Sequence, residues 1–429
     1  MKKILKYILI FFLVVFFLVS FLIITAKIPK EMIEENLKES TEYFRTNDEV
    51  EEVVKRRDYT FRHPYADAMI LNITYCIDSD HPLESILEAK YHAKEDGFHV
   101  DYNFNKLVEE KVEGNTQYIR YWHGNIGIMR ILLVFLNLGQ IYLLNAIVLL
   151  ILAIILCLLL GRKKTFALMI SLIVAFIMCV VVVVPSCIEY TSTFMIMLIV
   201  SILSVIWMKD NKKLNILFFI SGMLTCFFDF LTTEIITILV PVLIVLILQV
   251  KENKITNFKE GIIFVIRSCF LWGISYSSMW IAKWVLSSIV LKINAFDYVW
   301  DNATYRIKGE VLGITNQRLH WKAIQRNVFT LYPLNIEKNI QKLLAIPIVI
   351  LIFEIIFIRK KNIKKLWLSA LLIVIACIPY LRYYLLANHS YMHYFFTFRS
   401  QMISIIAILL AIIYSIDIEQ WKEKIKKRK

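Results

Sequence analysis

Glycine and proline are scarce in this chain, 11 and 8 of 429 residues. No glycine-rich phosphate loop and no nucleophile elbow can be found among them. Cysteine is no richer in information. Six of the seven (Cys157, Cys179, Cys187, Cys226, Cys269 and Cys377) sit inside apolar runs, where they read as small core residues, and Cys76 alone lies in a polar segment. That spacing yields no disulfide or zinc framework. Charge is sparse, 20% of residues, and acids are the minority, 35 against 49 Lys and Arg. The formal charge of +14 could suggest nucleic acid, but the basic residues fall in short clusters between apolar runs. Clusters placed so are membrane-orientation signals, and no nucleic-acid partner is expected. No internal repeat of 20–50 residues and no paired broken helices are evident.

What the chain does have is apolar length. Hydrophobic residues make up 58%, the mean hydropathy is +0.62, and several uninterrupted apolar runs approach the length that crosses a bilayer. The expected fold is therefore an all-α polytopic membrane protein of about ten transmembrane helices. An uncleaved signal-anchor helix occupies residues 1–26, since ITAKIP is a poor cleavage site. Residues 27–125 form a large first extracellular loop with amphipathic helices; within Glu31–Arg57, Met32, Leu37, Tyr43, Phe44, Val50, Val53 and Val54 recur near helical spacing. These helices could lie along the outer membrane surface. A transmembrane bundle covers 126–290, a basic extracellular loop 291–340, and C-terminal helices with a basic tail 341–429. Spans are expected near 138–160, 165–184, 191–208, 214–230, 235–250, 263–290, 341–358, 366–386 and 400–416. Ile126–Leu136 reads as a short re-entrant or interfacial piece.

Charge orients these spans. The segments Arg162-Lys163-Lys164, Lys209–Lys213, Lys251–Lys259, Arg359–Lys365 and Lys422–Lys429 are short and rich in Lys or Arg. All fall on one side if the N-terminus is inside, so both termini are expected to be cytoplasmic. All eight histidines and the acids Glu189, Asp229 and Glu234 then lie at the outer face. The lysine- and isoleucine-rich composition fits a low-GC bacterium, and the expected location is the bacterial cytoplasmic membrane, multi-pass, with the active face extracytoplasmic.

On that face, Asn388-His389-Ser390-Tyr391-Met392-His393-Tyr394-Phe395-Phe396-Thr397-Phe398-Arg399 packs polar and ionisable groups between two apolar runs. Such groups at a membrane boundary suggest a functional site. Asn388, His389, His393 and Arg399 are candidate substrate- and phosphate-binding residues, with Arg399 the leading anion contact. Against this stands an aromatic interfacial turn with a snorkelling arginine. Asp67 follows a Pro turn and opens an apolar helix; it is either a dipole-favoured first-turn acid or a general base. Arg120-Tyr121-Trp122-His123-Gly124 is an aromatic anchor or a phosphate-binding corner. Asp229 caps a helix or contacts substrate. Lys283, between Trp280 and Trp284, snorkels or meets phosphate. Arg62 joins the candidate anion-binding set. Asp78-Ser79-Asp80-His81 and the His389/His393 pair carry metal-ligating side chains; neither supplies a complete set, so no metal site is assigned, although a divalent cation stays open as a cofactor.

With its N-terminal span, large acid-bearing first outer loop, about ten spans and outward polar motifs, the chain resembles the GT-C class of membrane glycosyltransferases. The strings RYWHG, FDFLTT and NHSYMHYFFTFR also resemble a Gram-positive membrane protein family of that type. The resemblance implies a polyprenyl-phosphate-linked sugar donor, a cell-envelope glycopolymer or lipid acceptor, surrounding membrane lipids, and Asp67 as base with His123 beside it. A transporter or flippase of a lipid-linked or anionic substrate, or a non-catalytic envelope-assembly protein, is the alternative.

Overall fold

The computed structural model describes residues 2–46, 64–93, 100–308, 313–331 and 366–415. Arg62, the span expected near 341–358 and the basic segments 359–365 and 422–429 lie outside the described residues. No strand occurs among those described; one isolated antiparallel bridge joins Tyr91 to Thr116. The chain is an all-helical, multi-pass membrane protein.

Helix α1 (Lys2–Ala26) is apolar all round, as a lipid-embedded helix must be. A polar module follows, made of α2 (Glu31–Thr46), α3 (Pro64–Tyr75), α4 (Pro82–Glu88), α5 (Val100–Glu110) and α6 (Gly124–Leu132). The bundle comprises α7 (Leu138–Arg162), α8 (Phe166–Met178), α9 (Ile188–Ile206), α10 (Asn211–Phe228), α11 (Ile236–Lys251) and α12 (Phe258–Leu291). Outside it lie α13 (Ala295–Lys308) and α14 (Asn316–Thr330), and the C-terminal part runs through helices from Leu366 to Ser415. Among the described residues, six stretches are long and apolar enough to cross a membrane: Ile4–Ala26, Leu138–Arg162, Ile188–Ile206, Phe258–Leu291, Leu366–Leu385 and Tyr394–Ser415. Phe166–Met178 and Ile236–Lys251 are shorter apolar helices. The run expected to span 165–184 is interrupted: α8 stops at Met178, Val180 takes φ 50°, and Pro185 lies in a 3-10 turn over Val181–Ser186. Proline cannot continue an α-helical ladder.

The bundle has two chemically different ends. At one, the Lys251 ammonium donates to the carbonyls of Lys163 (2.6 Å) and Lys164 (3.0 Å), and Lys209 pairs with Glu252 at 3.5 Å. Three of the basic segments singled out by charge thus meet on one face. Residues of the polar module, the α9 N-terminus and the 387–399 segment gather at the other, the cavity end. Phe12, Phe16, Leu150, Leu158, Ile266 and Phe270 project outward between the two ends and remain exposed, forming a lipid-facing belt.

The polar module is a packed cap. Ile33, Leu37 and Phe44 of α2 are buried with Ala68, Leu71 and Tyr75 of α3 and Phe104, Leu107 and Val108 of α5. These apolar residues pack against one another, while Met32 of α2 stays exposed. Arg130 of α6 fastens this cap to α1. Its guanidinium is buried and donates to the carbonyls of Thr25 (3.0 Å), Thr74 (2.8 Å), Ala26 (3.3 Å) and Ile28. Burial lowers its pKa to about 10, still high enough to keep the charge at neutral pH. Arg130→Met strands those carbonyls and is expected to cost roughly 4 kcal/mol, several charge-assisted bonds at about 1.5–3 kcal/mol each less what water recovers. A lower apparent Tm in micelles checks it.

Small residues set the α10–α12 crossing. A Cβ on Gly222 would fall 2.2 Å from Ser275 Oγ and 2.3 Å from the Trp272 carbonyl oxygen. The two backbones therefore touch, the close approach that small residues permit in membranes. Ser275 closes the contact by donating to the Phe219 carbonyl at 2.6 Å.

Candidate active site

A cavity of about 510 Å³ opens at the cavity end, lined from seven parts of the chain, Tyr91 and Tyr298 among them. Helix α3 contributes Ala66, Met69, Ile70 and Ile73, and the loop before α6 contributes Tyr118, Arg120, Tyr121 and His123. Glu189 comes from the first turn of α9, Phe230 from the turn after α10, and His389, His393, Phe395 and Phe396 from the polar C-terminal segment. Motifs up to 330 positions apart in sequence therefore share one space.

Local amide chemistry fixes the loop that carries much of this wall. The Asn72 side chain accepts from His92 N (2.8 Å) and donates to its carbonyl (3.0 Å), and Asn115 does the same for Ala93 (2.8 and 2.7 Å). These side-chain clasps extend the Tyr91–Thr116 bridge and hold Tyr118 in place. Tyr118, Tyr121 and Phe230 then surround the His123 ring, with centroids at 4.8, 6.0 and 5.2 Å. Burial drives the pKa of His123 down to about 3, so the imidazole is neutral at physiological pH. Its Nε2 lies 2.9 Å from the Tyr118 carbonyl oxygen. That oxygen can only accept, which assigns the proton to Nε2 and the lone pair to Nδ1. His123 lines the cavity as a neutral ring and not as a cation.

Arg120 is the cavity's permanent cation. Its guanidinium donates to Asn302 Oδ1 (2.5 Å) and the Tyr118 hydroxyl (3.0 Å) and lies over the Tyr118 ring at 4.6 Å. Among the described residues no carboxylate pairs with it, and its Nε has no hydrogen-bond partner. Arg120 also lines a second, apolar groove of about 370 Å³ with Leu231, Trp280, Ile281, Trp284, Val299 and Leu386. One guanidinium therefore stands between a polar chamber and an apolar trough.

Glu189 is the chamber's carboxylate; among the described residues its side chain makes no hydrogen bond or ion pair, and the ionisable groups that act on it are the carboxyls of Asp67 and Asp229. The sequence placed it at the outer edge of a span without assigning it a role. The signal was present all the same: no other Asp or Glu occurs between Glu113 and Asp210, and a lone acid at a membrane boundary invites a functional reading.

Asp67, the expected base, is held behind this wall. It is fully buried and does not line the cavity. Its Oδ1 accepts from Ile188 N at 2.8 Å and its Oδ2 from the Tyr142 hydroxyl at 2.5 Å. Asp67 thus anchors the N-terminus of α9, one residue before Glu189, where a carboxylate also complements the helix dipole. Burial outweighs these hydrogen bonds and raises its pKa to about 7. A carboxyl with a folded pKa above its unfolded value binds protons more tightly in the folded state. Its contribution to stability is largest at low pH and falls as pH rises from about 4 towards 7. Asp67→Asn removes that titration, so the wild-type Tm minus the Asp67→Asn Tm is expected to decrease from pH 5 to pH 8. Thermal melts across that range check the sign.

The remaining expected residues divide between structure and cavity. Lys283 is fully buried and donates to the carbonyls of Leu87 (2.8 Å) and Ile86 (3.5 Å) at the C-terminus of α4, a favourable place for a cation. Asp229 takes the capping role: it accepts from Thr193 Oγ1 (2.7 Å), Thr232 N (3.0 Å) and the Thr232 hydroxyl. Arg399 is buried outside the cavity, donating to the Phe395 carbonyl at 3.0 Å with the Tyr190 and Phe398 rings beside it. Asn388 is buried beneath the wall, whereas His389 and His393 line it, their rings 4.7 Å apart and His393 stacked on Phe396. No cluster of three or more His, Cys, Asp or Glu side chains able to hold a metal occurs among the described residues. One structural ion pair, absent from the sequence reading, joins Arg382 to Glu234 at 2.8 and 2.9 Å. Comparison with known proteins adds nothing to this geometry: no family model, no curated protein and no solved structure matches the chain.

Proposed function

We propose that the chain is a membrane glycosyltransferase that moves a sugar from a polyprenyl-phosphate-linked donor to a cell-envelope acceptor. The single observation that carries the reading is the position of Arg120, shared by the aromatic chamber with its Glu189 carboxylate and the apolar groove. An amphiphile with a phosphate joining a sugar to a hydrocarbon chain suits that arrangement. The tail follows the Trp280, Ile281 and Trp284 side of the groove, the phosphate meets Arg120, and the sugar enters the chamber among Tyr118, Tyr121 and Phe396.

In this reading the bond between the sugar anomeric carbon and the phosphate oxygen breaks, and its electron pair leaves with the phosphate. Arg120 neutralises that charge. The acceptor hydroxyl attacks the oxocarbenium-like carbon, and Glu189 takes the hydroxyl proton as general base. Phosphate leaves without needing a general acid. Asp67, one peptide removed from Glu189, keeps the base in place and does not itself take the proton.

We further propose ten spans with both termini in the cytoplasm. The connections at Arg162–Lys164, Lys209–Lys213 and Lys251–Glu252 meet at the basic end. Leu331 belongs to the cavity end, whereas Trp367 and Leu371 pack near Gly261 at the basic end. The basic end is then cytoplasmic and the cavity extracytoplasmic.

Proteoliposomes containing the purified chain test the reaction. With polyprenyl-phosphate-linked sugar and acceptor-bearing envelope fractions, polyprenyl phosphate is expected to accumulate in step with labelled acceptor. Movement of intact donor across the bilayer, without cleavage, would instead identify a flippase.

A further inference from the structure

We propose that α14 is an interfacial helix that docks on anionic lipid headgroups at the cavity end of the bundle. The inference does not rest on the glycosyltransferase reading. It begins with composition: α14 carries Arg318, Lys322 and Arg326 and no Asp or Glu. Arg326 is engaged, donating to the Tyr391 carbonyl at 3.1 Å and lying 3.8 Å over the Tyr394 ring. Arg318 and Lys322, one turn apart and both turned away from the Asn327 side of the helix, are exposed and pair with nothing among the described residues. Trp321, 64% exposed, flanks Arg318 on the same solvent-facing side.

The depth of this face follows from its contacts. Trp321 meets Tyr384 edge-on at 5.9 Å, and His320 stacks on the same ring at 4.5 Å while its Nδ1 lies 2.6 Å from the Tyr384 carbonyl oxygen. Tyr384 belongs to the outer end of the Leu366–Leu385 span, where Leu381 and Leu385 are each 56% exposed. Two leucines so exposed on a membrane span face lipid. A tryptophan one ring beyond them stands at headgroup level, where amphipathic aromatic residues settle. The two unpaired cations beside it then lie among the phosphates. Anionic headgroups complement them, whereas a zwitterionic headgroup offers no net charge.

The other face of α14 is bolted to the cavity wall. Asn327 donates to the Ser390 carbonyl and accepts from Thr397 Oγ1, at 2.8 and 2.6 Å, and Gln401 donates to the Asn327 carbonyl at 2.8 Å. Lipid bound on one side of α14 therefore bears on the segment that presents His389 and His393.

Native mass spectrometry of the full chain, titrated with dioleoylphosphatidylglycerol or dioleoylphosphatidylcholine, tests the proposal. Each basic residue near the surface is worth about 1 kcal/mol, or roughly fivefold in affinity. The wild type is expected to prefer the anionic lipid by about 25-fold. Arg318→Gln with Lys322→Gln should bring that preference close to parity while leaving phosphatidylcholine binding and the melting temperature unchanged; Trp321→Ala should weaken both lipids. An equal affinity for the two lipids in the wild type overturns the proposal, as does a preference that survives the double substitution. Competition by soluble glycerol phosphate at the lipid's own affinity would mark a free-anion site and overturn it too. So would loss of a chain dimer as the only effect of the double substitution, which would mark a protein contact.

Discussion

Glu189→Gln is expected to lower the rate of sugar transfer by about 10²–10⁴-fold, the usual contribution of a positioned general base. The amide keeps the shape and the polar surface of the glutamate, so donor binding should be little changed. The loss belongs in kcat, with KM within a few-fold of wild type. Asp67→Asn makes the informative contrast. Its bonds to Ile188 N and the Tyr142 hydroxyl hold the start of α9, and an amide oxygen can keep part of that set. A smaller loss than in Glu189→Gln is expected, because Asp67 positions the base from behind the cavity wall. If Asp67→Asn abolished transfer while Glu189→Gln left it intact, the base would be Asp67, as the sequence first suggested.

The second large effect is on stability. Arg382→Leu is expected to destabilise the protein by about 3–5 kcal/mol, because it leaves the Glu234 carboxylate buried without its partner. The guanidinium engages both Glu234 oxygens and also donates to the Leu231 carbonyl (2.7 Å) and the Ser390 hydroxyl (3.1 Å). It thereby ties the turn after α10 to the polar C-terminal segment, two walls of the same cavity. Replacing both partners, Glu234→Leu with Arg382→Leu, removes the stranded charge and should recover a large part of the loss. Apparent Tm of the three variants in one detergent provides the check. A double variant no more stable than Arg382→Leu alone would mean that the lost bonds to Leu231 and Ser390, not the unpaired carboxylate, dominate.

The membrane character was legible because it is a bulk property. Long apolar runs and clustered lysines depend on composition over twenty residues, and no long-range contact is needed to read them. The side shared by the polar motifs was legible for the same reason: the orientation drawn from charge put Arg120, His123, Glu189, Asp229 and His389 on one face, and the cavity gathers four of these five. What composition could not settle was the direction in which each side chain points. Asp67, Lys283, Asp229 and Arg399 each admitted a structural and a ligand-binding reading, and each satisfies backbone carbonyls, amides or hydroxyls inside the fold. A polar residue at a helix end has two uses there, capping the chain or meeting a ligand, and sequence spacing does not distinguish them. The Glu234–Arg382 pair was hidden by its 148-residue separation. Glu189 was readable from its isolation among apolar residues, but the residues that line the cavity with it, Arg120 and the aromatic rings, came from segments no local pattern connects. The partner of the α2 apolar stripe was hidden for a related reason: α3 and α5, which cover it, carry no local mark of that pairing.

The central claim is that Arg120 and Glu189 face one substrate, the first at its phosphate and the second at its reacting sugar. A cryo-EM structure of the full chain with a non-cleavable polyprenyl-phosphonate sugar analogue measures this directly. The account predicts the phosphonate oxygens within hydrogen-bond reach of the Arg120 guanidinium, the hydrocarbon along Trp280, Ile281 and Trp284, and the anomeric carbon facing Glu189. An analogue bound elsewhere, with its phosphonate on Arg399 or Lys283 and the chamber empty of sugar, would contradict it.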